Sequence, residues 1–216
     1  MIALIDYGAG NLTSVKKALA AVGADVFVPV RPEELTAARG LIVPGVGHFG
    51  ATGALDEGWV GAIRTRVDEG CPLLGICLGM QWLYEASDEA PDCPGLGLLA
   101  GRCYRLGGGG RAAAAPDIKV PHVGWNRLAI GRDASIVEGV PPEAQVYFTH
   151  SYVAPVTNDT VAVTEHGEPF AAIVQRGYVA GVQFHPEKSG DVGLRILRNF
   201  VALCGISVAG SASHAL

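Results

Sequence analysis

Residues Pro72-Leu73-Leu74-Gly75-Ile76-Cys77-Leu78-Gly79-Met80-Gln81 read as a short buried strand that turns sharply into a helix. The apolar run Leu73 to Ile76 supplies the strand. Met80-Gln81-Trp82-Leu83-Tyr84-Glu85-Ala86 supplies the helix. Between them stands Gly-x-Cys-x-Gly, the layout of a nucleophile elbow with Cys77 where Ser is usual. Gly75 and Gly79 suit such a turn, because neighbouring backbone comes too close for a Cβ. A cysteine at a helix N-terminus has its thiolate favoured by the helix dipole. The Leu78 N–H would point into the same space, as a donor to an oxyanion. A lone Cys in an apolar run is also a common inert core residue, so the catalytic reading needs a base elsewhere in the chain.

That base is found in Gly181-Val182-Gln183-Phe184-His185-Pro186-Glu187. Pro186 biases His185 to an extended backbone. In extended chain, residues i and i+2 share a side. Glu187 can then hold one ring nitrogen of His185 while the other faces Cys77. Nucleophile, base and orienter thus follow in the order Cys, His, Glu.

The surrounding pattern is α/β. Apolar runs at Ile2–Ile5, Val26–Val30, Leu41–Val43 and Leu73–Ile76 predict strands. Leu12, Val15, Leu19 and Val22 recur at helical spacing, with Gly23 as a stop; Trp59, Ile63, Arg66 and Val67 do so before Gly70. Alternating strands and helices imply a mostly parallel sheet covered on both faces. Ligands of such sheets sit beyond the carboxyl ends of the strands, where Gly47 and Cys77 both fall. Gly45-Val46-Gly47-His48-Phe49-Gly50 fits a dinucleotide fingerprint only as a string. A small-residue strand end there can instead lend a backbone N–H to an oxyanion.

The C-terminal half changes style. Gly107 to Pro116 is low-complexity and is expected to be a flexible loop. Runs at Ile118–Val123, Gln145–Val153, Thr160–Thr164, Phe170–Gln175 and Tyr178–Phe184 predict strands, the later ones antiparallel. Ser189 is placed to cap a last helix whose apolar face is Ile196, Leu197, Phe200, Val201 and Cys204. Residues 1–206 are expected to form one domain, and 207–216 a disordered tail.

Composition narrows the function classes. A chain of 216 residues with 49% hydrophobic and 17% charged residues builds a generous core under a sparsely charged surface. With net charge −5 and no basic cluster, nucleic acid is not an expected partner. No apolar stretch reaches membrane-spanning length, so no membrane is expected either. Five cysteines with no C-x-x-C pair argue against a disulfide framework and for a reducing cytoplasm. Six scattered histidines without metal-ligand spacing predict no metal.

With Gly75-Ile76-Cys77-Leu78-Gly79-Met80-Gln81 and His185-Pro186-Glu187, nearly the whole chain resembles the triad-type (class I) glutamine amidotransferases. Four further stretches resemble the glutaminase subunits of imidazole glycerol phosphate synthases within that family. They are Asp6 to Leu12, Pro44 to Phe49, Lys119 to Asn126 and His185 to Ser189. The Gly/Ala loop and the tail depart from the family pattern without touching a motif.

The resemblance implies a flavodoxin-like three-layer α/β fold, with antiparallel additions to a mostly parallel sheet. It implies hydrolysis of glutamine without a cofactor. Cys77 would be the nucleophile, His185 the proton carrier and Glu187 its orienter. Gly45, Val46, Gly47 and Leu78 would hold the oxyanion, while Gln81, His150, Ser151 and Tyr152 would bind substrate. It also implies a heterodimer with a (β/α)₈-barrel cyclase subunit that consumes the ammonia, with Asn11, Trp125, Tyr147 and Lys188 as docking candidates. Three alternatives remain at this stage. They are a glutaminase serving another synthase, such as pyridoxal phosphate synthase, a non-catalytic regulatory module, and a peptidase of related fold.

Overall fold

A computed structural model describes residues 1–107 and 118–206. Most of the predicted loop at 107–116 and the whole predicted tail at 207–216 lie outside the described residues.

The first half alternates as the periodicity predicts. Its elements are β1 (Ile2–Leu4), α1 (Leu12–Ala21), β2 (Val26–Phe27), β3 (Leu41–Val43), α2 (Glu57–Asp68), β4 (Leu73–Ile76) and α3 (Leu78–Trp82). The second half adds β5 (Ala86–Ser87), β6 (Arg102–Arg105), β7 (His122–Arg127), β8 (Ala129–Ile130), β9 (Gln145–His150), β10 (Tyr152–Val153), β11 (Thr160–Glu165), β12 (Pro169–Arg176), β13 (Val179–Val182) and α4 (Gly190–Leu203). An eight-stranded sheet runs in the order β2-β1-β3-β4-β13-β12-β11-β8. The five strands from β2 to β13 are parallel, and the remaining three join antiparallel.

Every residue of β1, β3, β4 and β13 is buried, as parallel strands covered on both faces require. One face carries α1 and α4, packed through Val15, Leu19, Ile196, Leu197 and Phe200. The other carries α2 and α3, packed through Ile63, Leu78 and Met80. Asn11 caps α1 by accepting from the Ser14 N–H at 3.2 Å. Gly23, at φ +75°, ends it in the left-handed conformation that glycine tolerates. Among the described residues no helix is long and apolar enough to cross a membrane.

Several elements differ from the sequence reading. The second strand stops at Phe27, not Val30. Pro29 has no N–H for a ladder, and the Val30 N–H instead reaches Glu34 Oε2 at 2.9 Å. The elbow helix ends at Trp82 rather than Ala86. Its last carbonyls are taken by a returning segment: Leu96 N–H donates to Trp82 O at 2.6 Å, and Leu98 and Leu99 N–H both donate to Leu83 O at 2.9 Å. The run at Ile118 becomes a strand only from His122, after Pro121. The run Gln145–Val153 is two strands. β9 pairs with β7, whereas β10 pairs with β6 in another sheet, and Ser151 lies at the break. Ser189 stands at the N-cap of α4 as expected, but its hydroxyl makes no capping bond; it donates to His185 O at 2.6 Å and accepts from Tyr147 N–H at 3.0 Å.

The β4–α3 turn is the tightest packing in the sheet. A Cβ on Gly79 would overlap the Val43 carbonyl, and one on Gly75 would overlap the Gly79–Met80 backbone. Both obstacles are backbone, so they cannot swing aside. Gly79→Ala is expected to destabilise the chain by about 3 kcal/mol or more. Urea unfolding of the variant against wild type measures the loss.

Candidate active site

Cys77 leaves β4 with φ 53° and ψ −107°, a backbone conformation that side chains rarely adopt. Its N–H donates to Val182 O on β13 at 2.7 Å, and its carbonyl accepts from Gln81 N–H at 3.1 Å. These bonds lock the elbow between sheet and helix. The sulfur emerges beyond the carboxyl end of the sheet, at the head of α3. There the Leu78 N–H belongs to the first turn and has no intrahelical acceptor.

His185 follows β13, and its N–H donates to Tyr147 O on β9 at 3.0 Å. His185 Nδ1 lies 2.8 Å from Glu187 Oε1, and both side chains are only 2% exposed. The contact exists, but extended chain does not make it. His185 itself is extended, whereas Pro186–Lys188 forms a 3-10 turn that folds Glu187 back under the ring. Nε2 is buried without a formal hydrogen bond and lies beside Cys77. Burial works against charge on this ring. Bonding to Cys77 and Glu187 outweighs it and pushes His185 up to about 9. The raised value favours a proton on Nε2, a donor poised toward sulfur.

Cys77 opens into a cavity of about 220 Å³ whose wall includes Gly47, Leu78, Gln81, Glu89, His150, Ser151 and Tyr152. A larger cavity of about 830 Å³ lies beside β8, but it has neither Cys nor His on its wall. Gln81 is a buried scaffold rather than a solvated helix residue. Its amide donates to Tyr152 O at 2.8 Å and to Gln183 Oε1 at 3.1 Å. Gln183 in turn donates to Cys77 Sγ at 3.6 Å. Burial foremost, with His122 next, lowers His150 to about 3, so it is neutral at physiological pH.

The Gly45–Gly47 segment is only partly in the cavity. Gly47 lines it at φ +94°, whereas the Val46 N–H points away and donates to Ala9 O at 2.8 Å. Gly45 packs against the Tyr7 hydroxyl and Leu78, where a Cβ would clash. Trp125, Tyr147 and Lys188 form a separate surface cluster. Trp125 is 56% exposed and meets Tyr147 edge-on at 6.1 Å, and Lys188 Nζ sits 5.8 Å from the Tyr147 ring centre. Asn11 is occupied in capping α1.

Two site residues escaped the sequence reading. Gln183 is two residues before His185, and a polar residue at the end of an apolar run is the signal that could have found it. Glu89 is the one acidic side chain on the cavity wall, and Phe49 N–H donates to it at 2.8 Å. It lies in a loop with no motif. Among the described residues, no group of three or more His, Cys, Asp or Glu could hold a metal ion.

The chain matches the family model described as glutamine amidotransferase class-I over residues 3–204. It is 46% identical over 217 residues to the imidazole glycerol phosphate synthase subunit HisH of Moorella thermoacetica, covering 99% of both chains. The subunit of the same name from Geobacillus kaustophilus is 50% identical over 207 residues, covering 94% of this chain and 97% of that one. A solved structure titled as a glutamine amidotransferase superposes with TM-score 0.73 at 25% identity, over 95% of this chain and 100% of that one. The PurLQS structure from Thermotoga maritima shares the fold, with TM-score 0.71 at 18% identity, over 93% of this chain and 97% of that one.

The raised His185 pKa has a consequence for stability. The folded state keeps this proton up to about pH 9, while the unfolded ring releases it near 6.5. Its contribution is therefore complete below pH 6.5 and is lost as pH rises through 9. Denaturant unfolding at pH 6.5 and 9.5 should show a smaller stability drop in His185→Gln than in wild type.

Proposed function

Because the chain belongs to the class-I glutamine amidotransferase family, we propose that it is the glutaminase subunit of an imidazole glycerol phosphate synthase. It hydrolyses glutamine to glutamate and ammonia for a partner cyclase subunit in histidine biosynthesis. The observation that carries this reading is Cys77 at a strained elbow, opening into a cavity and backed by the buried His185–Glu187 pair.

The chemistry follows from the geometry. The sulfur attacks the side-chain amide carbon of glutamine, and the carbonyl electrons move onto oxygen. His185 Nε2–H protonates the departing nitrogen, so ammonia leaves and a thioester remains. Neutral His185 then takes a proton from water, whose oxygen attacks the thioester and releases glutamate. Glu187 on Nδ1 keeps the ring in the tautomer that addresses Cys77. The Glu89 carboxylate suits the substrate ammonium. These roles sit in one domain, residues 1–206. The partner contributes a (β/α)₈ barrel and docks on the face carrying Trp125, Tyr147 and Lys188. Asn11, which caps α1, is a further docking candidate. The cytoplasm is the compartment of such a pathway.

A diazo-ketone analogue of glutamine should label Cys77 and spare the other four thiols. Burial raises Cys71 and Cys103, and it pushes Cys204 up to about 12. Peptide mapping reads the outcome, and even labelling of the five would remove Cys77 from its role.

The isolated chain should be nearly idle. The Leu78 N–H supplies one oxyanion donor, but the Val46 N–H is held by Ala9 O. Gly45 on one side of that peptide plane lowers the steric cost of its rotation. Partner binding that favours the rotated state adds the second donor, worth about 10²–10³ in rate. Steady-state glutamine hydrolysis by the chain alone, then with the cyclase subunit and its ligand, measures the gain. Full turnover by the chain alone would refute the switch.

A further inference from the structure

Behind the cavity, three side chains stand in a hydrogen-bonded file on the β7–β9 ribbon. The Asn126 amide is pinned at both ends. Its Nδ2 donates to Glu165 O at 2.9 Å, and its Oδ1 accepts from Arg127 N–H at 2.8 Å. The same Nδ2 faces His122 Nε2 at 3.3 Å and can only donate to it. His122 Nε2 is therefore an acceptor, and the proton of the neutral ring sits on Nδ1. His122 and His150 are directly opposed across the ribbon, with His122 Nδ1 3.2 Å from His150 Nε2. His122 donates, His150 accepts, and the His150 proton is driven to Nδ1.

Both rings are neutral at physiological pH. Burial first, then His166, lowers His122 to about 4, and His150 lies lower still. The His122 ring is also held in place, stacked on Phe148 at 4.8 Å and on His166 at 4.1 Å. His150 Nδ1 is buried without a hydrogen bond of full geometry, and the residue borders the cavity. The Tyr152 carbonyl beside it favours a proton there.

We propose that Asn126 and His122 are positioning residues that set the His150 tautomer, so that Nδ1 offers an N–H to the Tyr152 carbonyl and holds the Ser151–Tyr152 wall of the cavity in place for the substrate. This rests on the reading of the cavity as a glutamine site. If the file ran the other way, His150 would turn a lone pair toward the Tyr152 carbonyl. Two acceptors would then face one another in a buried setting, where an unmatched polar pair is costly. Neither Asn126 nor His122 touches the substrate in this scheme. They act only through the position of one proton.

The test is a polarity inversion in the full chain. Asn126→Asp replaces the donor by a carboxylate that only accepts. His122 then holds its proton on Nε2 and His150 does likewise. Asn126→Ala removes the director without reversing it. Imidazole ¹⁵N NMR should report Nδ1–H on both rings in wild type, Nε2–H on both in Asn126→Asp, and a mixture in Asn126→Ala. With the cyclase subunit present, KM for glutamine should rise about tenfold or more in Asn126→Asp, with a smaller change in kcat and an intermediate KM for Asn126→Ala. Unchanged tautomers in Asn126→Asp overturn the proposal, as does an inverted file with unchanged KM. Equal KM increases in the two variants would mark Asn126 as merely structural and also overturn it. Should Asn126→Asp not fold, Nδ1–H persisting on both rings of Asn126→Ala with wild-type KM overturns it too. A wild-type chain that turns over no glutamine beside its partner would instead overturn the underlying reading, and the proposed substrate with it.

Discussion

The Cys77 backbone stands at φ 53°, ψ −107°, and two close approaches hold it there. Gly79 lies against the Val43 carbonyl, and Gly75 lies against the Gly79–Met80 backbone. A residue so placed costs on the order of 1–3 kcal/mol and persists only where its surroundings over-determine it. Here they do. Its N–H is tied to β13, its carbonyl is tied to Gln81, and α3 is buried over its whole length. The strain lifts the sulfur out of the sheet and puts it at the start of a helix. Without the two glycines α3 could not settle on β3 and β4, and the cavity would lose its floor.

The second half of the site is anchored elsewhere. His185 is held by β9, which belongs to a small ribbon outside the main sheet. Ser189 ties the turn together by bonding to both His185 O and Tyr147 N–H. The base and its carboxylate therefore depend on the same strand whose outer face carries Tyr147. The nucleophile depends on the main sheet. His185 also follows β13 directly, and the Cys77 N–H is tied to Val182 of that strand, so the main sheet joins the two halves.

A single line of amides connects the two halves. Gln81 donates to Gln183, and Gln183 donates to Cys77 Sγ. Gln81 also donates to Tyr152 O, at the point where the chain passes from one sheet to another. Buried polar groups of this kind are costly when unpaired and rigid when satisfied. Here they fix where the cavity wall stands relative to the nucleophile.

The parallel sheet, its covering helices and the elbow were legible in the chain, because each rests on local rules. Apolar runs and helical spacing mark buried strands and helices. Gly-x-Cys-x-Gly between a strand and a helix marks a turn that only small residues permit, and His-Pro-Glu at a strand end marks a base with a carboxylate in reach. What local rules could not give was decided by contacts distant in sequence. The elbow helix stops at Trp82 because residues 96–99 take its last carbonyls. The Ser189 hydroxyl became a tie rather than a capping bond because β9 offered it an N–H. Glu187 reaches His185 through a 3-10 turn rather than along a strand. Glu89 carries no motif, and Gln183 and the Asn126–His122–His150 file lie in recognised stretches that do not reveal how these side chains pair. The deciding pairs are distant along the chain, 28 residues for His122 and His150, 40 for Phe49 and Glu89 and 106 for Gln183 and Cys77, and such pairings exist only once the sheets have assembled.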